Sequence, residues 1–109
     1  MTGFCERPAI VAVGYNRPES MKRLLRSIGE AHYEWDDIPL IISIDKSDVK
    51  EVQEIAEAFE WKYGAKRVSL HRERLGLRNH ILECGDYAIQ YGAVIILEDD
   101  REVAPDFYN

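Results

Sequence analysis

The chain is poor in several features that would point to common function classes. It holds two cysteines, Cys5 and Cys84, far apart and without Cys-x-x-Cys spacing. That excludes a zinc knuckle or a disulfide framework, leaves Cys84 to read as core packing, and makes Cys5 uninformative. No apolar run approaches the ~20 residues needed to cross a bilayer. The opening Met1-Thr2-Gly3-Phe4-Cys5-Glu6-Arg7-Pro8 lacks the basic-then-apolar order of a secretory signal, so the expected location is cytoplasmic, peripheral to a membrane at most in a longer protein. Basic residues are also scarce: 14 Lys and Arg against 20 Asp and Glu give a formal charge of −6, which disfavours general nucleic-acid binding. There is no internal repeat, no low-complexity tract and no linker, so the 109 residues read as one small domain.

What the chain does have is alternation of two hydrophobic periods. Ala9 to Val13 and Leu40 to Ile44 are short continuous apolar runs, the pattern of strands buried on both faces. Ala93 to Leu97 is a third such run, and Arg67 to His71 a more polar fourth strand candidate. Between them, Pro18 can open a helix with Met21, Leu24, Leu25 and Ile28 at helical spacing. Asp48 and Glu51 resemble a capping box for a second helix whose face is Val52, Ile55, Ala56, Phe59 and Tyr63 and whose end is Gly64. Leu77, Ile81, Cys84 and Ala88 mark a third, closing near Gly92. Repeated βαβ units predict an α/β fold, Rossmann-like, with three αβα layers around a mostly parallel sheet.

The densest chemistry is Val94-Ile95-Ile96-Leu97-Glu98-Asp99-Asp100, an apolar strand that stops in three adjacent carboxylates. Like-charge repulsion beside low-dielectric protein raises the pKa of such groups unless a cation compensates. Oxygen-only ligation suits Mg²⁺ or Mn²⁺, which bridge a few carboxylates to substrate phosphates. In a parallel sheet, ligands sit outside the carboxyl ends of the strands. Three such ends here are polar: Tyr15-Asn16-Arg17, Asp45, and Glu98-Asp99-Asp100. The expected site is therefore a metal and diphosphate site at that edge.

Taken in order, Val13-Gly14-Tyr15-Asn16-Arg17-Pro18-Glu19, Ile41-Ile42-Ser43-Ile44-Asp45, Leu75-Gly76-Leu77-Arg78-Asn79 and Leu97-Glu98-Asp99-Asp100 resemble family 2-like glycosyltransferases of GT-A architecture, the nucleotide-diphospho-sugar transferase fold. The likeness covers almost the whole chain, and the stretch from Glu98 to Phe107 also resembles animal N-acetylglucosaminyltransferases that act on mannose. The resemblance implies a nucleotide-diphospho-sugar donor, UDP-linked by expectation, an acceptor hydroxyl on a saccharide or other molecule, and inversion. It implies Asp100 as metal ligand, Asp99 as ribose contact or second ligand, and Glu98 near the donor sugar. Asp45 would accept from a uracil ring, Tyr15 would pack on the base, and Arg17 and Arg78 would bind base or phosphate. Two positions depart from the family pattern: Arg74 stands where many members carry Asn, and Glu98 replaces the first Asp of Asp-x-Asp. Members also continue well past the metal motif, so the chain is expected to be the donor-binding half, with the catalytic base beyond Asn109.

Blander readings stand beside these. The acidic triplet could be a solvated loop, Asp45 a turn residue capping the next helix, Arg17 and Arg78 surface charges, and Tyr15 plain packing. His32, His71 and His80 lack ligand spacing and read as ordinary surface or partly buried residues, Trp35 and Trp61 as packing or surface aromatics. Glu51, Glu54, Glu57 and Glu60 form a solvated acidic face. Alternative functions are a sugar-phosphate nucleotidyltransferase, although the Gly-rich loop usual after its first strand is missing, and a noncatalytic nucleotide-binding module, which an exposed sheet edge could make a homodimer.

Overall fold

The structure, a computed structural model, describes residues 8–34, 37–71, 73, 76–87, 92–100, 103–105 and 107–108. Its elements are β1 (Ala9–Gly14), α1 (Pro18–Glu30), β2 (Leu40–Ile44), α2 (Lys50–Ala58), β3 (Lys66–Leu70), α3 (Leu77–Gly85) and β4 (Val94–Glu98). The strands form one parallel sheet in the order β3-β2-β1-β4. The expected α/β architecture is the one observed.

The alternation of β1 explains the layers. Ile10 and Ala12, with Leu40, Ile42 and Ile44 of β2, meet Met21, Leu24, Leu25 and Ile28 of α1 and Val52 and Ala56 of α2. Ala9, Val11 and Val13, with Ile41, face the other way, where Cys84 of α3 closes a smaller cluster. Successive strand residues point to opposite faces, so a strand apolar at every position needs helices on both sides. Each fully buried aliphatic side chain contributes about 1.5–3 kcal/mol. Cys84 is core, as its position on the α3 stripe implied.

Several local expectations are corrected. The Asp48 and Glu51 capping box does not form: Val49 is the N-cap, without a side-chain cap, and its N–H donates to Ser47 Oγ at 3.2 Å, while that hydroxyl donates to Tyr15 O at 3.1 Å. Helix α2 stops at Ala58, five residues short of Tyr63. Lys66 Nζ ends it from outside, donating to the carbonyls of Ala56, Glu57 and Phe59 at 3.0, 3.0 and 2.7 Å. The chain then turns against β2, with Ile38 N–H bonded to Tyr63 O at 2.8 Å, and Gly64 lies so close to the Ile38 backbone that a Cβ would strike it. Strand β3 starts at Lys66 and leaves His71 just outside, although the His71 N–H still bonds Ile44 O at 3.1 Å. Helix α3 is described to Gly85; Ala88, Arg74 and Trp35 lie outside the described residues.

Beyond β4, described residues return to α1 and to the start of β1. Val103 N–H donates to Ser27 Oγ at 3.1 Å, His32 N–H to Pro105 O at 2.6 Å, and Tyr108 O–H to Pro8 O at 2.7 Å. Phe107 and Tyr108 join Tyr33, Trp61 and Tyr63 in an aromatic group at the amino ends of the strands, edge to face except for the tilted Tyr33–Tyr63 pair. Trp61 is thus a packing residue, its indole N–H held by Ile38 O at 2.8 Å. Among the described residues no helix is long and apolar enough to cross a membrane.

Candidate functional site

Strand β2 lies on one side of β1 and β4 on the other, so the direction of winding reverses between β1 and β4. A crevice opens at the carboxyl ends of strands where that happens, because the loops leaving neighbouring strands run to opposite sides. A cleft of about 350 Å³ lies there, within the size range of small-ligand sites. Val13, Gly14, Tyr15, Asn16 and Arg17 line it from β1 and its loop, Asp45 from β2, Gly76 and His80 from the start of α3, and Glu98, Asp99 and Asp100 from β4. Six residues singled out in the sequence, Tyr15, Arg17, Asp45, Glu98, Asp99 and Asp100, are therefore brought together. Arg78 is in the first turn of α3, but its side chain lies outside the described residues.

Asp45 is buried and ties two distant segments. Its Oδ1 accepts from Lys46 N–H and its Oδ2 from Gly76 N–H, each at 2.9 Å. The carboxylate caps a turn, as the blander reading had it, but the turn is the one before α3, 31 residues on, rather than the start of α2. Gly76 adopts φ +80°, in the left-handed range that favours glycine, so the Leu-Gly-Leu motif supplies the backbone that Asp45 holds. On β1, a Cβ at Gly14 would meet the Met21 methyl, the end of a flexible side chain that would have to move aside.

The acidic triplet is graded by depth. Glu98 ends β4 beside Val13 of β1, Asp99 is half-buried, and Asp100 is exposed. Burial pushes the Asp99 carboxyl above the usual range; the Arg17 guanidinium and the Tyr15 backbone N–H pull it back, while Asp100 and Glu98 push it further up. Among the described residues, no three His, Cys, Asp or Glu side chains converge as a ready-made cage for a metal. Two adjacent carboxylates with room for phosphate oxygens and water are the donor set that Mg²⁺ or Mn²⁺ uses when a substrate completes the coordination.

His80 was missed as a site residue. It is 1% exposed, stands in the cleft wall, and its Nε2 lies 2.7 Å from Ser43 Oγ. Burial, the nearby His71 ring and, against them, Asp45 and Glu83 leave its pKa lowered, so the ring is neutral at physiological pH. The available signal was its spacing: four residues before Cys84, it shares that residue's inward-facing stripe on α3.

No protein-family profile matches this chain, and no curated protein matches its sequence. Solved structures do. The chain is similar to S. aureus TarS, with a TM-score of 0.71 and 14% identity over 92% of this chain and 18% of that one. It is also similar to S. aureus TarS 1–349 in complex with UDP (TM-score 0.65, 14% identity, 91% of this chain and 29% of that one). TarS 1–349 without that ligand gives a TM-score of 0.62 at the same identity, over 90% of this chain and 29% of the other. The chain thus spans under a third of the length of the structures it matches. At this identity the likeness establishes the fold, which is the one the resemblance to GT-A glycosyltransferases implied.

Proposed function

We propose that this chain forms the donor-nucleotide site of a metal-dependent glycosyltransferase, which moves a sugar from a nucleotide diphosphate, UDP by preference, to an acceptor hydroxyl. The observation that carries the reading is the meeting of Arg17, Asp45, Asp99 and Asp100 at the β1–β4 reversal, in one cleft. A TarS structure that shares this fold holds UDP, which supports a nucleotide as the ligand.

Each group has work suited to its placement. Tyr15 offers a ring for a base, and Arg17, beside Asp99, offers a planar cation for phosphate. Asp45 keeps the α3 turn in place and presents an acceptor at the cleft wall. Asp99 and Asp100 are the residues that would hold Mn²⁺ or Mg²⁺. When bound, such a cation supplies positive charge to offset the charge gathered on a departing nucleoside diphosphate. The raised pKa of Asp99 fits that role, since a cation relieves the repulsion that burial aggravates.

Calorimetry with UDP and Mn²⁺ tests the reading. Metal-dependent heat that disappears in Asp100→Ala is expected; no heat, or binding indifferent to that change, would refute it. Because β3 and β4 are the outer strands, size-exclusion chromatography over a concentration series checks the expected self-association at a sheet edge; a constant monomer volume would dismiss it.

A further inference from the structure

Beneath the cleft wall lies a chain of polar groups that the donor-site reading does not use. Ser43, fully buried on β2, places its Oγ 2.7 Å from His80 Nε2 and 3.3 Å from His71 Nε2. His71 Nε2 is also 3.3 Å from Glu83 Oε1, and the two imidazole rings meet edge to face at 4.8 Å. Glu83 reaches solvent, with a side chain 45% exposed, while the His71 side chain is 12% exposed.

The direction of each hydrogen bond follows from what the groups can do. An ionised carboxylate only accepts, so His71 Nε2 carries the proton that faces Glu83 and Ser43. Ser43 Oγ then accepts from His71, and of the two groups its single proton can face, His80 Nε2 and the Cys84 sulfur, the imidazole nitrogen is the stronger acceptor and lies at 2.7 Å. His80 must therefore be protonated on Nδ1. Among the described residues Nδ1 makes no hydrogen bond, although the ring is almost wholly buried and lines the cleft. A buried donor without a partner is costly, and a cleft ligand is the group positioned to relieve it.

We infer that Ser43 and His71 are positioning residues which fix His80 as the neutral Nδ1–H tautomer at the cleft wall, and that nucleotide binding there is coupled to proton uptake by His80. The coupling rests on the donor-site reading; the tautomer does not. The titratable and charged groups around His80 are His71 after β3, Asp45 just past β2, Glu83 and Cys84 on α3, and, lining the same cleft, Arg17, Glu98, Asp99 and Asp100. A nucleoside diphosphate, even when one divalent cation offsets part of its charge, adds net negative charge to this set and favours the imidazolium. Uptake of a proton at Nε2 reverses the Ser43 bond, so that Ser43 accepts from His80. By linkage, the nucleotide then binds more tightly as pH falls from the ordinary histidine range toward His80's lowered one.

Two measurements on the intact chain test this. Long-range ¹H–¹⁵N spectra of the imidazoles, recorded without ligand at neutral pH, should show His80 protonated on Nδ1 and a mixture of tautomers in Ser43→Ala. A wild-type His80 protonated on Nε2 would overturn the positioning role. Calorimetry with UDP and Mn²⁺ in two buffers of different ionisation enthalpy should then show proton uptake near pH 6 and affinity about threefold higher than at pH 7.5, within the roughly thirtyfold limit that one proton sets over that span. His71→Gln, which removes a repelling neighbour, should move that window to higher pH, and His80→Gln should abolish the uptake. Uptake that persists in His80→Gln, or a window unmoved by His71→Gln, would refute the coupling. Absence of heat for UDP with Mn²⁺ at every pH would refute the donor reading and the coupling together, while the spectra still decide the tautomer.

Discussion

The two ends of the parallel sheet are built from the same four strands and do opposite things. At the amino ends, five aromatic rings, Phe107 and Tyr108 among them, close over Pro8 and Ile38. At the carboxyl ends, carboxylates, an arginine and a buried histidine surround an open cleft. One end accumulates contacts that favour folding, while the other keeps like charges close, a state that costs stability until a ligand arrives. The division shows where substitutions should be felt as lost stability and where as lost binding.

The largest expected effect lies at the sealed end. Tyr33 touches Trp61, Tyr63, Phe107 and Tyr108, and its hydroxyl donates to Ile28 O at 2.6 Å. Tyr33→Ala should destabilise the fold by about 3–5 kcal/mol in urea unfolding, as aromatic truncations in cores do. A loss below ~1 kcal/mol would erase the contrast between the ends. Next comes Asp45→Ala, which strands the N–H groups of Lys46 and Gly76. It should cost about 1–3 kcal/mol and also weaken nucleotide binding, since this residue serves both stability and site.

Asp100→Ala belongs wholly to the open end. It should abolish metal-dependent nucleotide binding while stability stays within about 0.5 kcal/mol of the parent, as for other exposed positions. The smallest effect concerns pH. Asp99 is raised in the folded chain, so the folded state holds its proton more tightly than the unfolded one. Its contribution to stability is fully present below the unfolded carboxylate range and is lost as pH rises through the higher folded value. Metal-free Asp99→Asn should therefore show slightly greater stability than the parent at neutral pH. The difference should vanish on acidification; thermal unfolding at a series of pH values would reveal the opposite trend if the carboxylate is stabilised instead.

How much of this was legible in the sequence depended on the range of the interactions. The continuous apolar runs of β1 and β2 and the stripe Met21, Leu24, Leu25, Ile28 were readable because burial on both faces leaves no polar position to hide them. The acidic end of β4 was readable for the converse reason, since three carboxylates there oppose the trend of the strand. The end of α2 was not, because Lys66 caps it from β3 and Gly64 approaches Ile38, both contacts that depend on the sheet already being assembled. His80 was hidden because a lone histidine shows no ligand pattern, and its partners Ser43 and His71 come from two other elements. The box of Asp48 and Glu51 failed locally, where Val49 rather than Asp48 stands at the N-cap and its amide is taken by Ser47.

The bond from Val103 to Ser27 limits how far the acidic loop can travel. Asp100 lies two positions past the end of β4 and precedes Val103 by three, a tether that spans roughly 10 Å when fully stretched. Held at both sides, the loop has a short leash: Asp100 can reorient around an incoming ion but can swing wide only by breaking the link to α1. The Val103 amide is thus a remote gauge of the mouth of the cleft, and its hydrogen exchange should slow when that mouth is filled.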